Sequence, residues 1–512
     1  MYAKTCGMVI VGLEGIPVEV EVDIARGLPC FEIVGLPTAA VREAKERVRA
    51  AIRNAGFEFP LQRIVVNLAP ADVKKDGSGL DLAIAMGILA ASRQLVIKGS
   101  LVQKDLLRTV FIGELSLEGR IHPVRGALAM ALKARESNMD AIVTATECGE
   151  EMCCGFKGAV IVSSYLQELT HMLSQPEALV TAEQKNIEVE GKTQASEDFA
   201  TVQGQQMAKK ALEIAAAGGH HVLLSGSPGA GKTMLARCMP SILPTLSEQE
   251  QLEISRIYSV AGMLNGRGLM TERPFRSPHH TITLAGMTGG GAIPKPGELT
   301  LSHGGVLFLD EAPEFQRNVL EVLRQPLEEG VIHISRARGN FSYPCKFILL
   351  MAMNPCPCGW REGGEGHHCT CSDWQIENYT KRLSGPLLDR LDMTIHVARP
   401  SYEELVTKAK GEGSEVIRQR VMEARERQLF RIKQYDFENV SLNSELSHSQ
   451  LIKSAGLTTE GEKLLEHAFR NLHISIRSYD RILRVARTIS DLQGLEKVDG
   501  AQLAEALTYR TS

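Results

Sequence analysis

The stretch Gly226-Ser227-Pro228-Gly229-Ala230-Gly231-Lys232-Thr233 decides the fold of this chain, because it fits the phosphate-loop pattern G-x-x-x-x-G-K-[ST]. The apolar run before it predicts a short buried strand, and the residues after it predict the start of a helix. The glycines let backbone N–H groups close around phosphate oxygens, and the helix N-terminus adds a partial positive charge there. Lys232 is placed to reach the β- and γ-phosphates, and Thr233 to ligate Mg²⁺. The stretch therefore predicts a nucleotide-binding α/β domain that takes ATP or GTP.

Length and composition limit the classes of protein that this chain can belong to. At roughly 150 residues per domain, 512 residues leave room for about three domains. The net charge of −4 means that any nucleic-acid site must be a local patch. Aromatic residues make up 5%, which disfavours a broad base-stacking surface. The first residues lack the pattern of a signal peptide and no run of about 18 apolar residues occurs, so no membrane partner is expected. Eleven cysteines without an export signal then predict the reducing cytoplasm.

Four segments differ in their patterns. Residues 1–175 mix alternating strands with helices, among them a helix predicted over 39–54, and predict a first α/β domain. Residues 176–197 are polar and predict a linker. Residues 198–400 alternate strands and helices, which predicts a parallel sheet flanked by helices as the nucleotide-binding core. Residues 401–512 are helical in period and predict a helical lid.

Two further apolar strands end in polar residues of the kind that ATP hydrolysis needs. The run 306–309 ends in Asp310 and Glu311, which would hold Mg²⁺ and polarise the attacking water, respectively. The alternative is a core strand that ends in a solvated acid pair. The run 347–353 ends in Asn354, which is placed to orient the water near the γ-phosphate. The alternative for Asn354 is a turn residue before a proline.

These parts together resemble the AAA+ ATPases, and the resemblance implies roles for three arginines. Arg390 resembles the arginine finger that reaches the γ-phosphate of the neighbouring subunit, with Arg382 as the other candidate. The alternative for Arg390 is a local ion pair with Asp389 or Asp392. Arg477 resembles the sensor-2 arginine of the lid, and its alternative is a solvated helix arginine. A finger that acts between subunits implies a ring, which by this resemblance is a homo-hexamer.

Three longer runs are more specific: RPFRSPHHT at 273–281, PKPGEL at 294–299 and RILRVART at 481–488. They closely resemble the magnesium-chelatase-like AAA+ proteins of the YifB/ComM family, and the resemblance covers nearly the whole chain. Members of the ComM type are DNA helicases that drive branch migration during natural transformation. The resemblance implies a hexameric DNA motor on single-stranded or branched DNA, with recombination proteins as candidate partners. The alternative is a chelatase-type or protein-remodelling ATPase that acts on a protein partner.

A basic hairpin is the candidate DNA contact. The run 332–341 predicts a hairpin in which Arg336 and Arg338 alternate, so both side chains point to one face of a strand. Six copies of that face around a ring pore would contact DNA phosphates without regard to sequence. The alternative is a solvated hairpin edge protected by arginines. Lys295 and Arg276 are weaker candidates for the pore.

The composition of a short loop after Asn354 predicts a metal site. The pattern is C-x-C, ten residues, then C-x-C, formed by Cys356, Cys358, Cys369 and Cys371. Four thiolates suit tetrahedral Zn²⁺, and a closed site of this kind predicts a structural role. His367 and His368 are substitute ligands, and the alternative is four reduced cysteines without metal.

The N-terminal domain resembles the Lon-protease-like domain of this family through KDGSGLD at 75–81 and GELSLEGR at 113–120. At the position of the Lon nucleophile this chain has Gly79, and at the position of the Lon lysine it has Leu128. Ser78 lies one residue early, so its hydroxyl would point elsewhere. The sequence therefore predicts a domain without peptidase activity that serves as a scaffold or docking site.

Overall fold

The chain forms two compact units, each built from two stretches of sequence. Unit 1 comprises Met1–Glu190 and Ser247–Thr271, and unit 2 comprises Gly191–Leu246 and Glu272–Ser512. The computed structural model describes residues 1–73, 75–98, 106–183, 197–264, 268–290, 295–336, 339–361, 368–399, 411–471 and 474–510. Most of the predicted linker 176–197 therefore lies outside the described residues.

Unit 1 is built around a mixed sheet. Its strands are β1 (Tyr2–Val11), β2 (Glu14–Ala25), β3 (Cys30–Val34), β4 (Arg63–Ala69), β5 (Thr109–Phe111), β6 (Glu114–Leu115), β7 (Ile121–His122), β8 (Ala141–Ala145) and β9 (Ala159–Ser163). Seven of them follow the order β3-β4-β2-β1-β5-β8-β9, and β6 pairs with β7. In β2 the predicted alternation is confirmed, because Val18, Val20 and Val22 are buried between half-exposed glutamates.

The helices of unit 1 cover this sheet. They are α1 (Ala39–Asn54), α2 (Asp81–Ala91), α3 (Ala127–Glu136), α4 (Gly149–Gly155), α5 (Leu166–Ser174) and, after two helices of unit 2, α8 (Glu248–Ala261). Helix α1 was predicted over the same residues, and it buries Val41, Ala44 and Val48 at helical spacing. Helix α2 is buried along nearly its whole length, and it accordingly carries apolar residues on every face.

Helix α8 is the main difference from the predicted organisation, which placed it inside the core 198–400. Its Ser259 hydroxyl donates a hydrogen bond to the buried carboxylate of Glu151, and that carboxylate also accepts one from the Leu128 backbone N–H at 2.9 Å. The Gly126 N–H donates to the Ser259 carbonyl at 3.0 Å. Burial raises the pKa of Glu151. These contacts attach α8 to unit 1, although its sequence neighbours belong to unit 2.

Unit 2 is built on a parallel sheet. Its strands are β10 (Val222–Ser225), β11 (Phe275–Arg276), β12 (Gly289–Gly290), β13 (Lys295–Pro296), β14 (Val306–Leu309), β15 (Val331–Arg336), β16 (Gly339–Pro344), β17 (Ile348–Met353) and β18 (Met393–His396). Five of them form the sheet in the order β11-β14-β17-β10-β18, with every neighbouring pair parallel. The pairs β12–β13 and β15–β16 are antiparallel ribbons, and the second is the predicted hairpin. The predicted parallel core is confirmed.

The helices of unit 2 flank the sheet and then form the lid. The first group is α6 (Gln206–Gly218), α7 (Lys232–Ile242), α9 (Leu284–Thr288), α10 (Glu298–Leu301), α11 (Arg317–Glu321), α12 (Arg324–Glu329), α13 (Asp373–Thr380) and α14 (Gly385–Leu388). The lid contains α15 (Ser414–Gln434), α16 (His448–Ala455), α17 (Thr459–Asn471), α18 (Ile476–Leu492) and α19 (Gly500–Thr508). One apolar core is shared by the sheet and the lid, since Leu224 and Leu350 belong to the same buried cluster as Ile482 and Leu503. Among the described residues, none of these helices combines the length and the apolarity that a membrane crossing requires.

A buried ionic network fixes lid helix α18. The Asp491 carboxylate, 1% exposed, accepts two hydrogen bonds from Arg431 at 2.6 and 2.8 Å and one from Arg487 at 2.9 Å. Asn443 donates to the same carboxylate at 2.8 Å and to the Thr488 hydroxyl at 3.0 Å. A buried carboxylate is tolerated when its charge and its lone pairs are matched in this way.

The network continues to the strand that precedes the phosphate loop. The Thr488 hydroxyl lies 2.8 Å from His220 Nε2, and His220 Nδ1 lies 3.4 Å from the Asp392 carboxylate. That carboxylate also accepts a hydrogen bond from the His221 N–H at 3.1 Å. Burial opposes its ionisation, but the imidazole of His220 and the charges of neighbouring groups outweigh burial and lower the pKa of Asp392 to about 2. The lid is therefore linked by polar contacts to the base of β10.

Candidate nucleotide-binding site

The phosphate loop connects β10 to α7, as its sequence predicts. Gly229 and Gly231 have φ angles of +76° and +92°, which residues with a Cβ atom rarely adopt. At Gly226 a Cβ atom would collide with the carbonyl oxygen of Val397. The backbone conformation therefore requires glycine at positions 229 and 231, and the close approach of Val397 requires it at position 226. Helix α7 begins at Lys232, so its first N–H groups line the loop.

Lys232 is held inside this loop, and its side chain is 9% exposed. Its Nζ donates hydrogen bonds to the carbonyl oxygens of Gly226 at 2.6 Å and Ser227 at 3.0 Å. A third bond, of 3.1 Å, goes to Oδ1 of Asn354 at the end of β17. The structure therefore brings together the predicted phosphate-binding lysine and the predicted water-orienting amide.

The predicted magnesium ligands are also adjacent. Thr233 Oγ1 donates a hydrogen bond of 2.7 Å to Oδ2 of Asp310, which directly follows β14. The other Asp310 oxygen accepts a 3.0 Å bond from the Glu311 N–H and so fixes the turn. A hydroxyl and a carboxylate at this separation fit Mg²⁺, which prefers oxygen ligands and retains several waters.

The backbone of Glu311 adopts a strained conformation. Its φ angle is +50°, in the left-handed region that costs a residue with a Cβ atom about 1–3 kcal/mol. Its side chain is 59% exposed, and a carboxylate oxygen lies 3.9 Å from Nδ1 of His280. The His280 ring packs against that of His279 with centroids 4.1 Å apart. The sequence alone predicts no chemistry for these histidines, and their place in the specific run at 273–281 is the only signal that it carries.

The two candidate fingers have different surroundings in the single chain. Arg390, 12% exposed on its side chain, makes an ion pair with Glu328 and donates to the Pro386 carbonyl at 2.5 Å. Its partner is thus neither of the aspartates considered from the sequence. Arg382 is more exposed and pairs with Glu314 at 2.8 Å. Each arginine thus has a glutamate partner within its own chain.

Arg477 lies in the first turn of α18 and is exposed. The helix is capped by Ser475, which accepts a hydrogen bond from the Ser478 N–H at 3.2 Å. The helix dipole destabilises a positive side chain in the first turn by roughly 0.3–1 kcal/mol, and a bound anion would offset that repulsion. This position agrees with a phosphate contact, and the sensor role stays a prediction.

The candidate DNA residues are only partly described. Arg336 ends β15 opposite Gly339, and its side chain lies outside the described residues, as does Arg338 entirely. Lys295 is exposed on β13, where it pairs with Gly290. Arg276 instead makes a two-pronged ion pair with Glu298, with both bonds 2.7 Å long. It therefore has an ion-pair partner within the chain, and its role as a pore contact stays a prediction.

The four cysteines converge as predicted, and their sulfur atoms all lie within 4.8 Å of one another. The Sγ atom of Cys356 lies 3.3 Å from that of Cys358 and 3.8 Å from that of Cys369, and the latter two are 3.7 Å apart. With Zn–S bonds of about 2.3 Å, the edges of a tetrahedral site are about 3.8 Å. The sulfurs are too far apart for disulfides, whose bond is about 2.05 Å. Backbone N–H donors of Trp360 and Thr370 lower the pKa of Cys358, which favours the ligating thiolate. The donor set therefore fits zinc; His367 lies outside the described residues.

The predicted departure from a Lon active site is visible in unit 1. Ser78 donates a hydrogen bond to the Glu114 carboxylate, while the buried Lys75 ammonium donates to the Pro70 carbonyl. Burial lowers the pKa of Lys75. Leu128, at the position of the Lon lysine, is fully buried. Ser78 and Lys75 thus do not pair with each other, and no lysine stands at the position of the Lon lysine. The absence of peptidase activity stays a prediction.

The comparisons with known proteins agree with this fold and site. The family described as "Magnesium chelatase, subunit ChlI" matches residues 198–405, "Subunit ChlI of Mg-chelatase" matches 20–148, and "Magnesium chelatase, subunit ChlI C-terminal" matches 411–510. An uncharacterized protein YifB of Salmonella typhimurium is 42% identical over 500 residues, which cover 98% of this chain and 95% of the relative. Competence protein ComM of Haemophilus influenzae is 40% identical over 504 residues, with the same coverage. Lon protease 2 of Bacillus subtilis is 31% identical over 147 residues, 27% of this chain and 26% of that protein.

The parallel sheet, the phosphate loop and the acids after β14 define an AAA+ ATPase fold with a site for ATP and Mg²⁺. The similarity to the relatives extends over nearly the whole chain and includes the N-terminal Lon-like part. The chain belongs to the YifB/ComM family of magnesium-chelatase-like AAA+ proteins.

Proposed function

We propose that this chain is an ATP-hydrolysing motor that works as a hexameric ring and drives branch migration on single-stranded or branched DNA. The observation that carries the ATPase part is the joint placement of Lys232, Asn354, Asp310 and Glu311 at the ends of three neighbouring parallel strands. The DNA part is supported by similarity along 98% of the chain to a competence protein. Integration of DNA during natural transformation in the cytoplasm is the corresponding role, with recombination proteins as candidate partners.

The described residues supply each step of hydrolysis. The nucleotide phosphates replace the carbonyls of Gly226 and Ser227 as partners of the Lys232 ammonium. Thr233 and Asp310 would hold Mg²⁺, which would supply positive charge against the nucleotide phosphates. Glu311, exposed and free to turn toward the γ-phosphate side, accepts the proton of the attacking water. Asn354 orients that water and keeps Lys232 in place.

Completion of the site by a neighbouring subunit would couple hydrolysis to assembly. Arg390 or Arg382 would stabilise the charge on the γ-phosphate of the neighbour after leaving its own glutamate. Stabilisation of this kind is worth about 10³–10⁵ in rate. Arg477, on the lid, would contact the phosphates of its own subunit. The buried network from α18 to β10 would then transmit the position of the lid to the phosphate loop.

DNA would be held by the hairpin β15–β16, which lies in the sequence between the strand of Glu311 and the strand of Asn354. Arg336 and Arg338, with Lys295 as a weaker contact, would bind the backbone. For single strands the slope of log affinity against log salt changes by about 0.7 for each phosphate contact. The double variant Arg336→Ala, Arg338→Ala should therefore bind DNA more weakly and with a flatter salt dependence. Arg418→Ala, which removes a half-exposed arginine of α15 paired with Glu415, is the matched control.

The decisive experiment is ATP hydrolysis with and without single-stranded and forked DNA. The proposal predicts that DNA raises the rate and that forked DNA is unwound or migrated. If DNA neither binds nor raises the rate, while Glu311→Gln still retains ATP, the motor proposal fails and the ATPase remains. The three matches to chelatase subunits would then favour a chelatase-type or protein-remodelling ATPase.

Structural Zn²⁺ in the four-cysteine site is part of the proposal, since the sulfur distances fit a tetrahedral ion. The site is closed by four protein ligands and offers no position for chemistry. Metal analysis of the purified protein should give about one zinc per chain. A folded protein without metal would contradict the assignment.

A further inference from the structure

The loop that carries the cysteines packs against the phosphate loop. It follows Asn354 directly, and Gly359 within it has a φ angle of +84°. A Cβ atom at Gly359 would lie 2.6 Å from Cδ and 2.7 Å from Cγ of Pro228. Real Cβ atoms do not approach other atoms so closely, so position 359 must be glycine for the two loops to touch. Pro228 therefore has the cysteine loop as a direct packing partner.

The next residue of the cysteine loop makes a second connection. The Arg399 guanidinium lies over the Trp360 ring, 4.8 Å from its centroid. The same guanidinium approaches the phosphate loop, because its Nη2 atom lies 3.6 Å from the position of a Cβ atom at Gly229. A cation over an aromatic face is held in position without losing its charge or its hydrogen-bond donors. The donors of Arg399 are thus kept at the edge of an anion-binding loop.

The metal site would control both connections. Cys358 immediately precedes Gly359 and Trp360, and its sulfur lies 3.7 Å from that of Cys369, eleven residues further along the chain. A metal ion bound to both would restrain the backbone that directly follows Cys358, at residues 359–360, far more than four separate thiols can. The restrained segment includes the two residues that touch Pro228 and Arg399.

We propose that Zn²⁺ in the four-cysteine site stabilises the phosphate-binding conformation of residues 226–233, and that Arg399, held over Trp360, is a further contact for the nucleotide polyphosphate. This inference rests on the proposed ATPase function. The metal itself stays out of the chemistry. It acts through the contact of Gly359 with Pro228 and through the stacking of Trp360 with Arg399, and charge-assisted hydrogen bonds from Arg399 then strengthen phosphate binding.

The test measures the Kd for magnesium–ADP in the full-length Trp374→Phe protein. The chain has two tryptophans, so this variant leaves Trp360 as the only source of tryptophan emission. In the zinc-loaded protein, magnesium–ADP should change the emission of Trp360. Removal of zinc with a chelator, and separately Arg399→Ala with zinc retained, should each raise the Kd about tenfold. Zinc removal should raise the Kd by a smaller factor in the Arg399→Ala protein than in the parent, because the route through Trp360 and Arg399 is already lost and only the contact of Gly359 with Pro228 remains.

Two control variants separate these effects from general damage. Arg470→Ala removes an exposed arginine whose partner is Glu466 in the same helix, and its Kd should equal that of the parent. Cys30→Ser removes a cysteine outside the cluster and should leave both the zinc content and the Kd unchanged. If zinc removal unfolds unit 2, zinc-loaded Trp360→Leu replaces it. Its Kd is measured by calorimetry, because this variant lacks the emitting tryptophan, and it should weaken binding as Arg399→Ala does.

The outcomes distinguish this inference from the function on which it rests. A zinc-loaded protein that binds neither magnesium–ADP nor magnesium–ATP contradicts the proposed ATPase function, and this inference with it. Nucleotide binding that stays within about twofold after folded protein loses zinc, or after Arg399→Ala, contradicts the inference alone. A protein that contains no zinc as purified and still binds nucleotide tightly also overturns it.

Discussion

Asp491→Ala is the substitution whose effect on stability follows most directly from the structure. It removes the carboxylate that neutralises two guanidinium groups in the lid, of which Arg431 is 13% exposed and Arg487 is 1% exposed. Loss of one member of a buried ion pair costs about 3–5 kcal/mol, because the remaining charge stays buried. Arg487 keeps hydrogen bonds to the carbonyls of Ala455 at 3.1 Å and Glu496 at 2.7 Å. We therefore expect a loss near the lower limit, about 3 kcal/mol.

Urea unfolding followed by tryptophan fluorescence tests this value, because Trp360 and Trp374 both belong to unit 2. At a slope of about 3 kcal/mol per molar urea, the midpoint should fall by about 1 M. Glu466→Ala is the control, since it removes the partner of Arg470 in an exposed pair of the same lid. That change should cost less than about 0.5 kcal/mol. If the two variants unfold at the same midpoint, the buried network does not stabilise the lid as argued.

Three further predictions concern the site. Lys232→Ala should abolish measurable binding of magnesium–ATP, because it removes the cation held at the centre of the loop, and equilibrium binding checks this. Arg390→Ala should lower the hydrolysis rate about 10³-fold while ATP still binds, and mixing it with Lys232→Ala subunits should restore part of the rate if the arginine acts between subunits. An unchanged rate in Arg390→Ala would favour Arg382, and a lowered rate without recovery would favour a role within the subunit. Cys371→Ser should lower the zinc content measured by metal analysis, whereas Cys345→Ser, which lies outside the cluster, should leave it at about one per chain.

The parts of the fold that the sequence predicts are those encoded by local patterns. The phosphate loop, the strands that end at Asp310 and Asn354, and helix α1 depend on residues close together in the chain. Helix α8 shows the limit of such patterns. Its capping box at Ser247 and Glu250 marks where it begins, but its attachment to unit 1 depends on Glu151, about a hundred residues earlier. No periodicity within α8 carries that information.

The candidate site shows the same limit. The cysteine pattern predicts that Cys356, Cys358, Cys369 and Cys371 meet at one site, because four thiolates are a typical ligand set of structural zinc. The ion pair of Arg390 with Glu328, and the approach of His280 to Glu311, join residues that only the fold makes neighbours. The contact of Gly359 with Pro228 belongs to this class as well, since a glycine in a loop gives no sign of what its missing side chain would meet.

Phosphate release from magnesium–ATP, measured beside ATP retention for the parent protein and Glu311→Gln, tests the central claim most directly. The site predicts that the parent releases phosphate, while Glu311→Gln binds ATP with a similar Kd and hydrolyses it at least about 10²-fold more slowly. The amide keeps the size of the side chain but cannot accept the proton of the attacking water. Hydrolysis by Glu311→Gln at the rate of the parent, or a folded parent that binds ATP and never releases phosphate, would contradict the account.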